Sequence, residues 1–170
     1  MVLVITFQVR LVDCEPEVNR SRSLYISSMA VKQKGTESGA YGHMSVQTGL
    51  KCFKSLTTAE AVALISLREK VRASLPAGAK LTADMVQTDD RFWHIFHFRF
   101  LSGQAFSKAD SDAGLPCTVI SATVAKRLFG TTDVAGQTLQ LNHVEYRISG
   151  VVADISMLAT SAYAQVWVPY

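Results

Sequence analysis

Cysteine, charge of one sign and long apolar runs are all scarce in this chain, and each shortage removes a class of protein. Cys14, Cys52 and Cys117 are the 3 cysteines among 170 residues. An odd count with no C-x-x-C spacing implies neither a disulfide framework nor a zinc knuckle. A Cys14–Cys52 bridge stays open for an oxidising compartment, while Cys117, in an apolar strand, reads as a small buried hydrophobe. Lys and Arg number 17 against 14 Asp and Glu, a net charge of +3 with no basic run. That argues against nucleic acid as a partner, where clustered cations with interleaved aromatics are expected. The N-terminal apolar run, Val2 to Phe7, falls far short of the ~20 residues that cross a bilayer. Its β-branched residues make it a strand, and the regions of a signal peptide are not there. G-x-S-x-G, P-loop and G-x-G-x-x-G patterns are missing too, which removes the esterase, ATPase and dinucleotide signatures.

What is there is an ordinary globular composition, 48% hydrophobic and 18% charged, enough for one domain or two small lobes with a real core. Val2 to Val12 alternates and predicts a strand. Asp13 to Arg22 is a polar loop, Leu24 to Val31 a second strand, and Lys34 to Gly42 a loop or hairpin tip. His43 to Phe53 has β character, interrupted by Gly49. Thr57-Thr58-Ala59-Glu60 has the capping-box pattern and predicts a helix to about Ser74, with Ala61, Leu64, Leu67 or Arg68, Val71 and Leu75 on one face. Pro76 and Gly78 stop it. Leu81 to Thr88 predicts a strand, and Asp89 or Asp90 caps a short helical turn. Ser102-Gly103-Gln104 turns the chain and Lys108 to Pro116 is an exposed loop. Ser156 to Ala162 is a loop, and Gln165 to Tyr170 ends the sequence as an apolar strand, suggesting a segment boundary there.

Three features bear on chemistry. His94 and His97 have a spacing that puts both on one helix face, but without the H-E-x-x-H general base, so no metal site is assigned. Cys117 lies ahead of a helix cap in an apolar strand, a poor setting for a nucleophile. Asp89-Asp90 and Asp110/Asp112 sit in capping or loop settings, where Asp supplies turn chemistry. No catalytic residue, cofactor site or metal site is expected. Phe92, Trp93, Phe96, Phe98, Phe100 and Phe106 demand burial, since each large ring is worth roughly 1.5–3 kcal/mol when removed from water. Core packing is the plain reading, and a groove for lipid or hydrophobic cargo the alternative.

The local signals agree best from Pro116 to Ile155. Thr118-Val119-Ile120 is a β-branched run ending at Ser121, a helix N-cap. Val124, Ala125, Leu128 and Phe129 form an apolar stripe, Lys126 and Arg127 suit the helix C-terminus, and Gly130 falls at a left-handed cap. Leu139 and Leu141, a turn at Asn142-His143, then Val144, Tyr146 and Ile148 read as a hairpin.

This stretch and the text before it resemble the MacB-like periplasmic core domain of FtsX-type ABC transporter permeases. The resemblance rests on Asp90-Arg91-Phe92-Trp93 through Phe96, on Phe100-Leu101-Ser102-Gly103-Gln104-Ala105-Phe106-Ser107 with Asp110, and on Thr118 to Ser121. It continues through Lys126-Arg127-Leu128-Phe129-Gly130, Val134-Ala135-Gly136-Gln137-Thr138-Leu139 and Tyr146 to Asp154. It covers roughly residues 84 to 155, with an echo at Arg22-Ser23-Leu24-Tyr25; Gln104 stands where the family usually has Arg, and His143 where it commonly has Gly.

The expected fold is α+β, with mixed or antiparallel sheets and two main helices in two lobes. The N-terminal strands, the Thr57–Ser74 helix and the terminal strand make one lobe, and roughly residues 84–155 the other. The resemblance implies that these are a porter-like lobe and a smaller inserted lobe of one extracytoplasmic domain. It also implies a periplasmic location in an inner-membrane protein, flanking membrane helices outside this sequence, and a cytoplasmic ABC ATPase acting through the full-length permease. A second permease copy and a periplasmic adaptor or lipoprotein are further implied partners. The role it implies is non-catalytic: relaying ATP-driven motion of membrane helices to cargo or partners. The alternative is a free-standing periplasmic binding module that uses the aromatic cluster as a hydrophobic ligand pocket.

Overall fold

A computed structural model describes residues 15–18, 20–26, 29–32, 39–42, 45–54, 56–76 and 78–170. The strand expected over Val2 to Val12 lies outside them. A 3-10 turn at Arg20–Arg22 precedes a two-stranded antiparallel hairpin, β1 (Met29–Lys32) and β2 (Gly39–Gly42). Helix α1 (Val46–Cys52) follows, then strands β3 (Glu69–Ser74) and β4 (Lys80–Thr88). Next come α2 (Phe92–Ile95), β5 (Phe100–Gly103), α3 (Lys108–Asp112), β6 (Cys117–Ser121) and α4 (Ala122–Phe129). Strands β7 (Thr138–Leu141), β8 (Val144–Val152) and β9 (Val166–Pro169) complete the chain.

Seven strands form one mixed sheet in the order β5-β8-β6-β9-β4-β3-β7. Strand β7 also pairs with β8, so six of the strands close on themselves and β5 is left outside. β8 is long enough for this: β7 lies along Val144–Arg147, β5 along Gly150–Val152, and β6 runs parallel along Arg147–Val152. The chain is α+β, as expected. The terminal strand β9 sits between β4 and β6, so strands from both expected lobes share this sheet.

Alternation sorts the apolar side chains into two cores, because successive strand residues face opposite ways. Met85, Ile120, Val151, Val166 and Val168 join Val71, Ala73, Leu139, Leu141 and Ile148 in one. The apolar stripe of α4, with Val124, Ala125 and Leu128, packs into the same cluster. Val86, Val119, Val152 and Trp167, the intervening residues, face the second core with Phe92, Phe96 and Phe106.

The Pro116–Ile155 stretch forms as its local chemistry dictates. Ser121 Oγ accepts the Val124 N–H at 3.4 Å, and Gly130 closes α4 at φ 79°. Asn142 and His143 take φ 47° and 73°, the pair of left-handed residues that a two-residue hairpin of right-handed twist requires. Asn142 also ties the turn to β3: its Oδ1 accepts the Arg72 N–H at 2.9 Å and its own N–H donates to Arg72 O at 3.0 Å.

Elsewhere the structure corrects the sequence reading. The helix expected from Thr57 to Ser74 is absent; residues 57–68 are irregular and Glu69–Ser74 is strand β3. The period that decides is two, with Val71 and Ala73 buried and Lys70 and Arg72 exposed. Pairing with β4 and β7 serves the backbone of β3, an arrangement that no helix there could replace. Glu60, placed at the third position of a capping box, pairs instead with Arg22 at 3.3 Å.

The β reading of His43 to Phe53 is overturned by α1. Ser45 Oγ accepts the Thr48 N–H at 3.2 Å, and buried Gly49 lets the helix lie close to Leu64, whose Cδ2 would stand 2.8 Å from an added Cβ. Within Leu24–Val31 only Met29 to Val31 are in a strand among the described residues, and Gly39–Gly42 is a strand, not a loop tip. The Lys108–Pro116 loop contains α3, opened by a reciprocal Ser107–Asp110 capping box. Ser102 and Gly103, expected to turn, belong to β5, and Gly103 has φ 64°.

Candidate functional site

Strand β9, with the segments laid against its second face, is where the unusual side chains gather. The aromatic residues meet there. Phe92 and Phe96 have ring centroids 4.8 Å apart, Trp93 and Phe106 5.4 Å, Phe98 and Trp167 5.2 Å, and Trp93 and Trp167 6.0 Å. Several of these pairs are edge-to-face, the arrangement favoured by ring quadrupoles. Trp167, Phe92 and Phe106 are fully buried. The rings therefore pack on one another as core. The Trp93 and Trp167 indole nitrogens are buried among them with no hydrogen-bond partner among the described residues.

The two histidines are not brought together as a helical pair. α2 ends at Ile95, and Phe96 is extended at φ −107°, ψ 127°, so His97 leaves the helix face that carries His94. Both side chains are exposed. The His97 N–H donates to Pro16 O at 3.0 Å. Among the described residues no group of three or more His, Cys, Asp or Glu is placed to hold a metal ion.

Cys117 is buried in β6, as expected, and that burial pushes its thiol pKa up; a raised thiol holds little thiolate, the reactive form. Cys52 is exposed near the end of α1, and Cys14 lies outside the described residues. Asp110 serves its cap: the Ser107 backbone and hydroxyl bonds lower its carboxyl pKa. Asp89 accepts the Phe92 N–H at 3.3 Å and is itself buried.

Two ionic contacts that the sequence reading missed lie beside this core. Lys54 Nζ lies 3.1 Å from Asp89 Oδ2 and 3.4 Å from the Tyr170 hydroxyl. Burial alone lowers the lysine pKa, but Asp89 and Tyr170 outweigh it, so the ammonium is held above its ordinary value. The second is Glu17, buried to 5% exposure beside Arg20. Glu17 lies in the stretch that reads as a polar loop and Lys54 falls just after the His43–Phe53 stretch, and no pattern in the sequence marks either contact.

Comparison with known proteins agrees with this architecture. A family model described as "MacB-like periplasmic core domain" matches residues 17–170, well beyond the 84–155 stretch that carries the resemblance in sequence. The macrolide export ATP-binding/permease protein MacB of Nitrobacter winogradskyi is 29% identical over 108 residues, which are 57% of this chain and 17% of that protein. The periplasmic region of MacB from Actinobacillus actinomycetemcomitans superposes with a TM-score of 0.61 at 15% identity, over 73% of this chain and 54% of that one. The extracellular domain of the noncanonical ABC-type transporter YknZ, from Gram-positive bacteria, gives 0.56 at 16% identity over 68% and 57%. These structural likenesses show the fold. The chain spans about half the length of the solved relatives and a small part of the curated one. With the match running from residue 17 to 170, the chain belongs to the MacB-like periplasmic core domain family.

Proposed function

We propose that this chain is the extracytoplasmic domain of an ABC transporter permease and acts without chemistry of its own. It relays ATP-driven motion of membrane helices to cargo, to a second permease copy, or to a periplasmic adaptor or lipoprotein. A cytoplasmic ATPase hydrolyses the nucleotide, and the membrane is reached through helices flanking this segment. Family membership supports the setting. The observation that carries the mechanical part is the sheet. Strands β4, β9, β6 and β8 have a packed core on each face, and interiors packed this way transmit strain without yielding. A division into an inserted lobe over about residues 84–155 and a porter-like remainder belongs to the same reading.

The isolated domain is expected to show no ATP hydrolysis above a buffer control. Its removal from the full-length protein is expected to abolish transport while hydrolysis by the partner ATPase persists. Clear turnover by the isolated domain would count against this function.

A further inference from the structure

We infer that Glu17 is a latch fastening its own segment, residues 15–18 together with Arg20, to the loop that precedes the terminal strand. The setting of its carboxylate carries the inference. Oε1 accepts the N–H groups of Ser161 and Ala162 at 2.7 and 2.9 Å, and Oε2 takes Arg20 Nε at 2.6 Å. Arg20 Nη2 reaches on to Leu158 O at 2.5 Å. Beside it, Pro16 O accepts the His97 N–H. One short stretch of chain thus grips both the loop before β9 and the end of α2.

Among the described residues the loop's own bonds are local turns, from Leu158 N to Ser156 Oγ, from Ala159 N to Ser156 O and from Ala162 and Tyr163 N to Ala159 O. From another segment Arg68 completes the grip, donating to Tyr163 O at 3.1 Å and Thr160 O at 3.2 Å with its guanidinium over the Tyr163 ring. Ion-assisted hydrogen bonds are roughly twice as strong as neutral ones. A carboxylate this buried would be costly without them, so the contact is closed as a unit or lost as a unit. Ala159, Ala162 and Ala164 pack into the aromatic core with Trp167, and the loop leads straight into β9. Displacement of residues 15–18 is therefore handed to the central strand through Glu17, with Arg20 beside it. Its use in transport rests on the function proposed above: Glu17 is then the point where motion arriving on the N-terminal side enters the rigid sheet.

Amide hydrogen exchange of the isolated chain, resolved by fragmentation mass spectrometry, tests the latch. Glu17→Gln is expected to speed exchange at Ser161, Ala162 and His97 by roughly tenfold or more, with β4, β6 and β8 changed less than about twofold. Unchanged rates at Ser161 and Ala162, or uniform acceleration across the sheet, would overturn the latch. Should that variant not fold, the unmodified protein decides in low denaturant. The two amides are expected to open together before the sheet does, and opening only with global unfolding refutes the idea.

The full-length membrane protein in ATP and in ADP–vanadate tests the use. Exchange over residues 158–163 is expected to differ between the states, and Glu17→Gln to remove the difference. A difference that survives the substitution overturns the force path. No difference in either protein, with the latch intact in the isolated chain, refutes the relay and leaves the latch standing.

Discussion

Residues 116–155 and residues 43–75 are similar in length and opposite in how they are specified. In the first, helix α4 and the β7–β8 turn carry their own local signals: the Ser121 cap, the Gly130 left-handed stop and the Asn142-His143 pair. In the second, the deciding partners lie outside the element itself. Strand β3 exists because β4 and β7 flank it, and α1 rests on Leu64. Local signals specify what local hydrogen bonds satisfy, whereas a strand in the middle of a sheet answers to its neighbours.

The largest expected effect breaks the comparison on its weaker side. A helix over 57–74 would set Leu67 and Val71 on one face, but in the structure Val71 is 1% exposed and Leu67 63%. Val71→Asp is expected to destabilise by about 3 kcal/mol or more, and Leu67→Asp by less than about 0.5 kcal/mol, in urea unfolding. Comparable losses at both sites would restore the helix.

The hairpin turn gives the next test. Asn142→Ala removes the acceptor of the Arg72 N–H and a residue suited to positive φ, so a loss of about 1–2 kcal/mol is expected. His143→Gly relieves a side chain at φ 73° and is expected to stabilise by about 0.5–1 kcal/mol after the entropy gained by the unfolded chain. Thermal melts of the two variants should move in opposite directions.

Smaller again is the helix cap. Ser121→Ala is expected to cost about 1 kcal/mol, with the loss of a single bond to the Val124 N–H. A loss this size with α4 intact by circular dichroism shows the cap is local, and loss of the whole stretch shows it is not.

The smallest effect is electrostatic and belongs to the region that sequence left obscure. Lys54 has a raised pKa in the folded chain. Its contribution is therefore fully present below the unfolded lysine value of about 10.4 and lost as pH rises through the folded one. Lys54→Met is expected to flatten that alkaline loss in urea midpoints taken across this range. An unchanged alkaline slope would mean the Asp89 contact contributes nothing.

The same physics sets how much was readable. The α+β class, strands β4, β6, β7 and β8, helix α4 and the buried aromatic residues follow from alternation, caps and apolar content. Burial of Cys117 follows from its apolar strand. The two-faced sorting of Val166, Trp167 and Val168 was visible as alternation, but not that β9 lies inside the sheet between β4 and β6. The contacts of Glu17 with Ser161 and of Lys54 with Asp89 were beyond reach, because a surface-type residue in a loop carries no periodic mark of its burial. His94 and His97 failed as a pair for a local reason: the helix between them stops after one turn.

Energy transfer in the reconstituted full-length protein asks whether this domain moves as a body. Dyes replacing exposed Leu67 and Leu115 report distance within the domain, and a dye at Leu115 with a labelled lipid headgroup reports distance to the bilayer. Between ATP and ADP–vanadate the internal distance is expected to stay constant while the distance to the bilayer changes. A bilayer distance that is the same in both nucleotide states would contradict the relay.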